Sequence, residues 1–310
     1  MNGKNILITG GAGFIGSNFI EFLSEKYENI DIAVVDKLTY AADKSRLDPY
    51  LDEITFVEAD ISDAERMEKV FSKENPDFVV NFAAESHVDR SIESGKPFMR
   101  SNVEGAYTLM DVAKENEIEK FIQISTDEVY GSREEGKFTE EDPLDPSSPY
   151  SASKASADMV ANSFKVTHNL PVLIVRPTNN FGPNQHPEKL IPKFISRARE
   201  GESLPVYGDG TNVRDWLYVK DNCRAIDLLL REGETGEIYN VGANQFKQNI
   251  EVTKKILELV GADENLIEFV EDRKGHDQRY AVDSTKIREL DWEPKISFEE
   301  GLERIISERE

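Results

Sequence analysis

The chain has 310 residues, 38% of them hydrophobic, enough to bury a full core as one large domain or two unequal lobes. Its 60 acidic against 37 basic side chains give a formal net charge of −23. Such a surface repels nucleic-acid backbones and anionic membranes, so neither is an expected partner. Solubility or a salty interior is the plain reading of the charge. Apolar runs such as Phe78–Ala84 and Ile226–Leu230 are far short of a bilayer span. The N-terminus has no leader-like apolar segment, and Cys223 stands alone, so a reducing cytoplasmic location is expected. No metal site is read from the sequence.

In chain order, Asn5–Thr9 is a short apolar strand, followed by a glycine cluster and an amphipathic helix, Phe14–Tyr27. Asp31–Val35, Thr55–Glu58, Phe78–Phe82 and Phe121–Ser125 read as further strands, with helices near Asp63–Lys73 and Val103–Asn116 between them. Pro149 opens a helix over Tyr150–His168, capped by Ser147 or Ser148, and Val172–Val175 is another strand. This alternation predicts an α/β fold, a Rossmann-type doubly wound parallel sheet. From Pro177 to Gly210 the chain is dense in Gly, Pro and Asn, interrupted by a helix near Pro192–Glu200. Ile238–Val241 reads as a strand rejoining the sheet, and Ile250–Val260 and Phe298–Ser307 as helices of a smaller lobe. The expected division is a dinucleotide-binding domain over 1–176, with 217–243 returning to it, and a substrate-binding lobe from 177–216 and 244–310.

Three motifs carry chemistry. Thr9-Gly10-Gly11-Ala12-Gly13-Phe14-Ile15-Gly16 sits between a strand and a helix. There, glycine allows a tight turn and close approach of backbone to a pyrophosphate, and the helix offers free N–H groups to it. Asp36 ends the next strand, where a carboxylate accepts ribose hydroxyls and repels a 2′-phosphate, favouring NAD over NADP. Asp60 reads equally as an adenine contact or as a helix cap. The small residues Ala83 and Ala84 would let backbone lie near the cofactor. Second, Tyr150-Ser-Ala-Ser-Lys154 places phenol and ammonium on one helical face. A nearby cation lowers a tyrosine pKa, letting the phenolate accept a proton from a sugar hydroxyl. Third, Ser125-Thr126-Asp127-Glu128 ends the fifth strand with two adjacent carboxyls. Elimination of water across two carbons needs such a pair, one to take a proton and one to protonate the leaving hydroxyl.

Taken together, these motifs resemble the extended, sugar-nucleotide branch of the short-chain dehydrogenase/reductase superfamily. The Thr126-Asp127-Glu128 triplet resembles the dTDP-glucose 4,6-dehydratases within it, as do Glu85-Ser86-His87-Val88-Asp89-Arg90-Ser91, Asn179-Asn180-Phe181-Gly182-Pro183, Arg214-Asp215-Trp216 and Asp272-Arg273-Lys274-Gly275-His276-Asp277. The resemblance spans nearly the whole chain. It implies NAD as cofactor and dTDP-glucose as substrate. Tyr150 would take the O4 proton, with Lys154 tuning it and Thr126 bonding O4. Glu128 would remove the C5 proton and Asp127, held neutral, would protonate the C6 hydroxyl. It also implies cofactor contacts at Gly10, Gly13, Phe14, Ile15, Gly16, Asp36, Lys37, Thr39, Asp60, Ile61, Ala83, Ala84, Ser86, Tyr150, Lys154 and Asn180. Substrate contacts would fall at His87, Thr126, Asn179, Lys189, Leu190, Pro205, Tyr207, Arg214, Asn249, Arg273, His276 and Tyr280. A homodimer through about Val103–Asn116 and Tyr150–His168 is implied as well. Lys274, Phe181 and Ala42-Asp43 depart from the family's usual proline, tyrosine and Gly-Asn. An epimerase, a decarboxylase, or a dehydratase of a UDP- or CDP-sugar is the alternative within the branch. A non-catalytic NAD-binding protein, free to lose Tyr150, Lys154 or Glu128, is the alternative outside it.

Overall fold

The computed structural model describes residues 1–307. Its strands are β1 (Lys4–Thr9), β2 (Ile30–Asp36), β3 (Ile54–Glu58), β4 (Phe78–Asn81), β5 (Lys120–Ile124), β6 (Val172–Pro177), β7 (Asn179–Phe181), β8 (Leu204–Tyr207), β9 (Val213–Tyr218), β10 (Ile238–Val241), β11 (Phe246–Gln248) and β12 (Ile267–Val270). Seven of them form one parallel sheet in the order β10-β6-β5-β4-β1-β2-β3. The fold is the doubly wound α/β class expected from the strand–helix alternation. Ile6, Ile8 and Val34 face one apolar layer, Leu7, Val35 and Val79 the other, so both sheet faces are covered.

Strand order reverses between β1 and β4, and the crevice beyond their carboxyl ends is where such sheets hold ligands. A polar ladder ties that end together. Thr9 donates to Asn81 at 2.6 Å, and Asn81 donates to Gln123 at 2.8 Å across to β5. Helices Phe14–Lys26 and Pro149–His168 both start at this end of the sheet. The longer one opens with a capping box between Ser148 and Ser151, and Pro149 occupies its first turn.

Beyond β6 a smaller set of strands appears. β11, β9 and β7 make a three-stranded sheet, and β12 pairs with β8. They pack on helices Leu190–Glu200, Asn249–Val260 and Phe298–Ser307 around a separate apolar cluster. Phe181 sits at its centre, fully buried against Trp216, Tyr218 and Phe298. A phenylalanine in place of the usual tyrosine suits this apolar position. Helix Val219–Glu232 leads back to β10, which pairs with β6 at the sheet edge, and residues 217–241 contribute to the cluster on one sheet face. One feature was not expected. The helix anticipated over Val103–Asn116 is preceded by a π-helical stretch, Met99–Glu104, before Gly105–Ala113. No helix of the described residues is long and apolar enough to cross a membrane.

Candidate active site

Three cavities run in series along the carboxyl end of the sheet. The first, about 80 Å³, is lined by Gly10, Gly13, Asp36, Lys37, Thr39, Ile61, Ala83 and Ala84 among others. The second, about 180 Å³, shares Gly10, Gly13 and Ala84 with it and adds Phe14, Ile15, Gly16, Ser86, Tyr150 and Lys154. The third, about 490 Å³, shares Ser86, His87, Gln185 and Lys189 with the second. The shared walls make one trough from the glycine loop to the second lobe. It brings together all the expected cofactor residues except two. Asn180 lines the largest cavity instead, its amide bonded to Thr178 and Asn222. Asp60 lines none of the three. It caps its own turn, accepting from the Ser62 amide at 3.0 Å and hydroxyl at 2.9 Å, and pairs with Lys37 and Arg100.

The glycine loop fits a dinucleotide. At Gly10 (φ +70°) an added Cβ would lie 2.6 Å from the Ala83 amide, and at Gly16 it would lie 2.4 Å from the Gly10 carbonyl. Only glycine lets the turn close on itself and leaves its amides open to a phosphate. Asp36 does more than the sequence suggested. One oxygen accepts from the Ala12 amide at 3.0 Å and the other from Leu38 at 2.8 Å, so the carboxylate also shapes the loop. Each oxygen keeps a lone pair for a ribose hydroxyl.

The largest cavity is lined by His87, Asn179, Lys189, Leu190, Pro205, Tyr207, Arg214, Asn249, Arg273, His276 and Tyr280, every expected substrate contact apart from Thr126. Arg214 is buried, stacked 4.1 Å over the Tyr280 ring and held by the Val213 and Asp277 carbonyls at 2.7 and 2.9 Å. Tyr207 packs edge-on against His276. Buried Asn179 Oδ1, Asn249 Oδ1, Trp216 Nε1 and Arg273 Nε have no hydrogen-bond partner in the protein. Polar atoms so placed call for a polar ligand.

At the junction stand the tyrosine and the two acids. Thr126 caps a short turn, Asp127–Tyr130, that follows β5, and its hydroxyl accepts the Glu128 amide at 3.3 Å. Glu128 faces the largest cavity, while Asp127 is 3% exposed and its Oδ2 has no partner. Burial, then the neighbouring Glu128 charge, hold Asp127 well above the usual carboxylate range. Burial also raises Glu128, but Arg214, Arg273 and Lys189 pull it back toward ionisation. Their environments thus push the two acids apart in the sense a proton donor and a proton acceptor require. Tyr150 is pushed above its ordinary value by burial and by the Glu128 charge, with Asp127 adding to it and a Thr126 hydrogen bond opposing. This is opposite to the direction expected from Lys154. The reason is that Lys154 donates to the Ile124 carbonyl at 2.6 Å, and burial draws it down to about 8.

A family model described as GDP-mannose 4,6 dehydratase matches residues 7–305. The chain is a member of that family, within the extended short-chain dehydrogenases/reductases. This sugar-nucleotide dehydratase/epimerase family member is 57% identical to the low-salt glycan biosynthesis protein Agl12 of Haloferax volcanii, over 97% of each chain. It is 45% identical, with a TM-score of 0.94, to the dTDP-glucose 4,6-dehydratase DesIV of Streptomyces venezuelae solved with NAD and TYD bound, covering 97% of this chain and 95% of that one. A UDP-glucose 4-epimerase of Thermotoga maritima solved with UDP-glucose shares the fold at a TM-score of 0.92 and 33% identity, covering 98% and 97%. Fold alone therefore does not separate the two activities.

Several residues of this family member were not singled out in the sequence. Asn102, in the π-helical stretch, grips both the amide and the carbonyl of Glu85 at 2.8 and 3.0 Å and donates to Ser153 at 2.8 Å. It thereby fixes the trough wall to the tyrosine helix. Gln185 lines the neck between two cavities, and Trp216 lines the largest. Behind Lys154, Asp158 accepts from Arg176 at 2.9 Å in a fully buried pair. A π-helical register and contacts this far apart in sequence leave no local pattern to read.

Proposed function

We propose that the chain is an NAD-dependent 4,6-dehydratase that converts dTDP-glucose to dTDP-4-keto-6-deoxyglucose. The observation that carries this reading is the pairing of Asp127, dry and held neutral, with Glu128, open to the cavity and opposed by three cations. A 4-epimerase has no use for such a pair. The glycine loop, Asp36 and the first two cavities would hold NAD. Bound NAD supplies the hydride acceptor for C4, the hydride donor for C6 and a positive ring beside the phenol.

The protein's own groups do the rest. Tyr150, with the Lys154 cation on the same helical face, accepts the O4 proton, and Thr126 lies beside it. The resulting 4-ketone acidifies C5–H, which Glu128 removes. Asp127 gives its proton to the departing C6 oxygen, and Glu128 then returns the proton to C5. Arg214 and Arg273 are suited to the diphosphate, since guanidinium groups pair with its oxygens in bidentate fashion. Thymine and uracil differ by one methyl, worth about 1–3 kcal/mol in a pocket, so the base is decided by assay. Purified protein incubated with dTDP-, UDP- and CDP-glucose should give the alkali-induced absorbance of a 4-keto-6-deoxy sugar fastest with dTDP-glucose. Equal rates on UDP-glucose would remove the base assignment, and release of the 4-epimer would remove the reaction.

The same proposal extends to a homodimer. Tyr107, Met159 and Val166 are large apolar side chains at 50%, 58% and 67% exposure on the two helices expected to pair. Sedimentation at the mass of one chain would count against it.

A further inference from the structure

The dehydration sequence leaves two side chains in the wrong protonation state, and this inference rests on that sequence. Tyr150 ends oxidation carrying the O4 proton, and Asp127 ends elimination having lost its own. Glu128 resets itself by returning to C5 the proton it took. A second turnover cannot begin until a proton has left Tyr150 and another has reached Asp127.

Asp127 is badly placed to draw that proton from solvent. It lines none of the three cavities, and among the described residues the one hydrogen bond its carboxylate makes is with the Thr126 hydroxyl, 3.2 Å from Oδ1. That hydroxyl also hydrogen-bonds the Tyr150 phenol and accepts the Glu128 amide. A hydroxyl has one proton to give and two lone pairs. Thr126 uses all three, donating to Asp127 and accepting from Glu128 and Tyr150. Its position as the cap of the Asp127–Tyr130 turn and its near-complete burial fix that orientation.

We propose that Thr126 is a proton relay that returns the O4 proton from Tyr150 to Asp127 after each dehydration. The phenol O–H breaks as its proton passes to Thr126 Oγ1, and the threonine's own proton passes to Asp127 Oδ1. Thr126 is unchanged, Tyr150 becomes phenolate, and Asp127 becomes the carboxylic acid. No electrons move and no outside acid or base is consumed. The Asp127 side of the transfer is favoured because burial and the Glu128 charge oppose an ionised carboxylate there.

Thr126→Val keeps the side chain's shape and deletes the relay, and Thr126→Ser keeps a hydroxyl. Each holoenzyme is mixed with excess dTDP-glucose and quenched from the first turnover into the steady state. In Thr126→Val the first turnover, from an enzyme already equilibrated with solvent, gives about one product per site. Later turnovers then slow by a further factor of about 10² or more, the scale of a lost positioned proton transfer. Thr126→Ser restores the steady state. A first turnover slowed by the same factor as the later ones would overturn the relay and leave Thr126 as a sugar contact. An unaltered enzyme that makes no 4-keto-6-deoxy product would instead remove the dehydratase reading itself, and the relay with it.

Discussion

Asp127→Asn isolates the elimination step from the oxidation that precedes it. The amide is nearly isosteric and can still bond the Thr126 hydroxyl, but it has no proton to give the departing C6 oxygen. No neighbour can take its place. Glu128 is drawn toward ionisation by Arg214, Arg273 and Lys189, and it is committed to the C5 proton. Asp127 Oδ2 meets no protein partner, and the residue lines none of the cavities, so no other acid is at hand. Loss of a positioned general acid costs about 10²–10⁴-fold, or about 3–5 kcal/mol in the barrier. The upper part of that range is expected here. Oxidation at C4 depends on Tyr150 and Lys154 and should stay within about tenfold of the unaltered enzyme, as removal of a charge from near the phenol is the one change it feels. Rapid mixing with dTDP-glucose, followed by the near-ultraviolet absorbance of the reduced cofactor, should show it accumulating toward one equivalent per site while product nearly vanishes. Full product formation, or oxidation lost to the same degree as product, would refute the role.

Three further outcomes follow from the same geometry. Because the folded-state pKa of Asp127 lies above its unfolded value, the folded protein binds the extra proton, and that stability is lost as pH rises from about 4 through the folded value. The melting temperatures of Asp127→Asn and the parent should therefore be close at low pH and separate in the variant's favour as pH rises; a constant difference would contradict this. Arg214→Lys keeps the charge but loses the planar fork held by Val213 and Asp277, and should raise KM for the nucleotide sugar about tenfold or more with kcat less affected. Gly10→Ala forces a side chain into a left-handed backbone, costing about 1–2 kcal/mol, and into the Ala83 amide. Titration should show NAD affinity weakened about tenfold or more, with a lower melting temperature.

The fold was legible because its signals are local. A strand, three glycines, a helix and a terminal carboxylate fall within residues 4–36, and the period of the remaining elements repeats the pattern. The substrate-side residues were legible through resemblance, and the large cavity gathers them from segments as distant as His87 and Tyr280. What the sequence hid is relational. It could not show that Asp36 spends both oxygens on its own loop, that Asp60 is a cap, or that Lys154 bonds the Ile124 carbonyl so that burial governs Tyr150. Nor could it show the π-helical register that turns Asn102 onto Glu85 and Ser153, since such a turn has no distinct side-chain period over six residues.

The most direct test follows one hydrogen. With dTDP-glucose deuterated at C4, the account predicts a product lighter by one water, with a 4-ketone and the deuterium now on C6. Deuterium found back on C4 of an epimerised sugar, or lost to solvent, would contradict it.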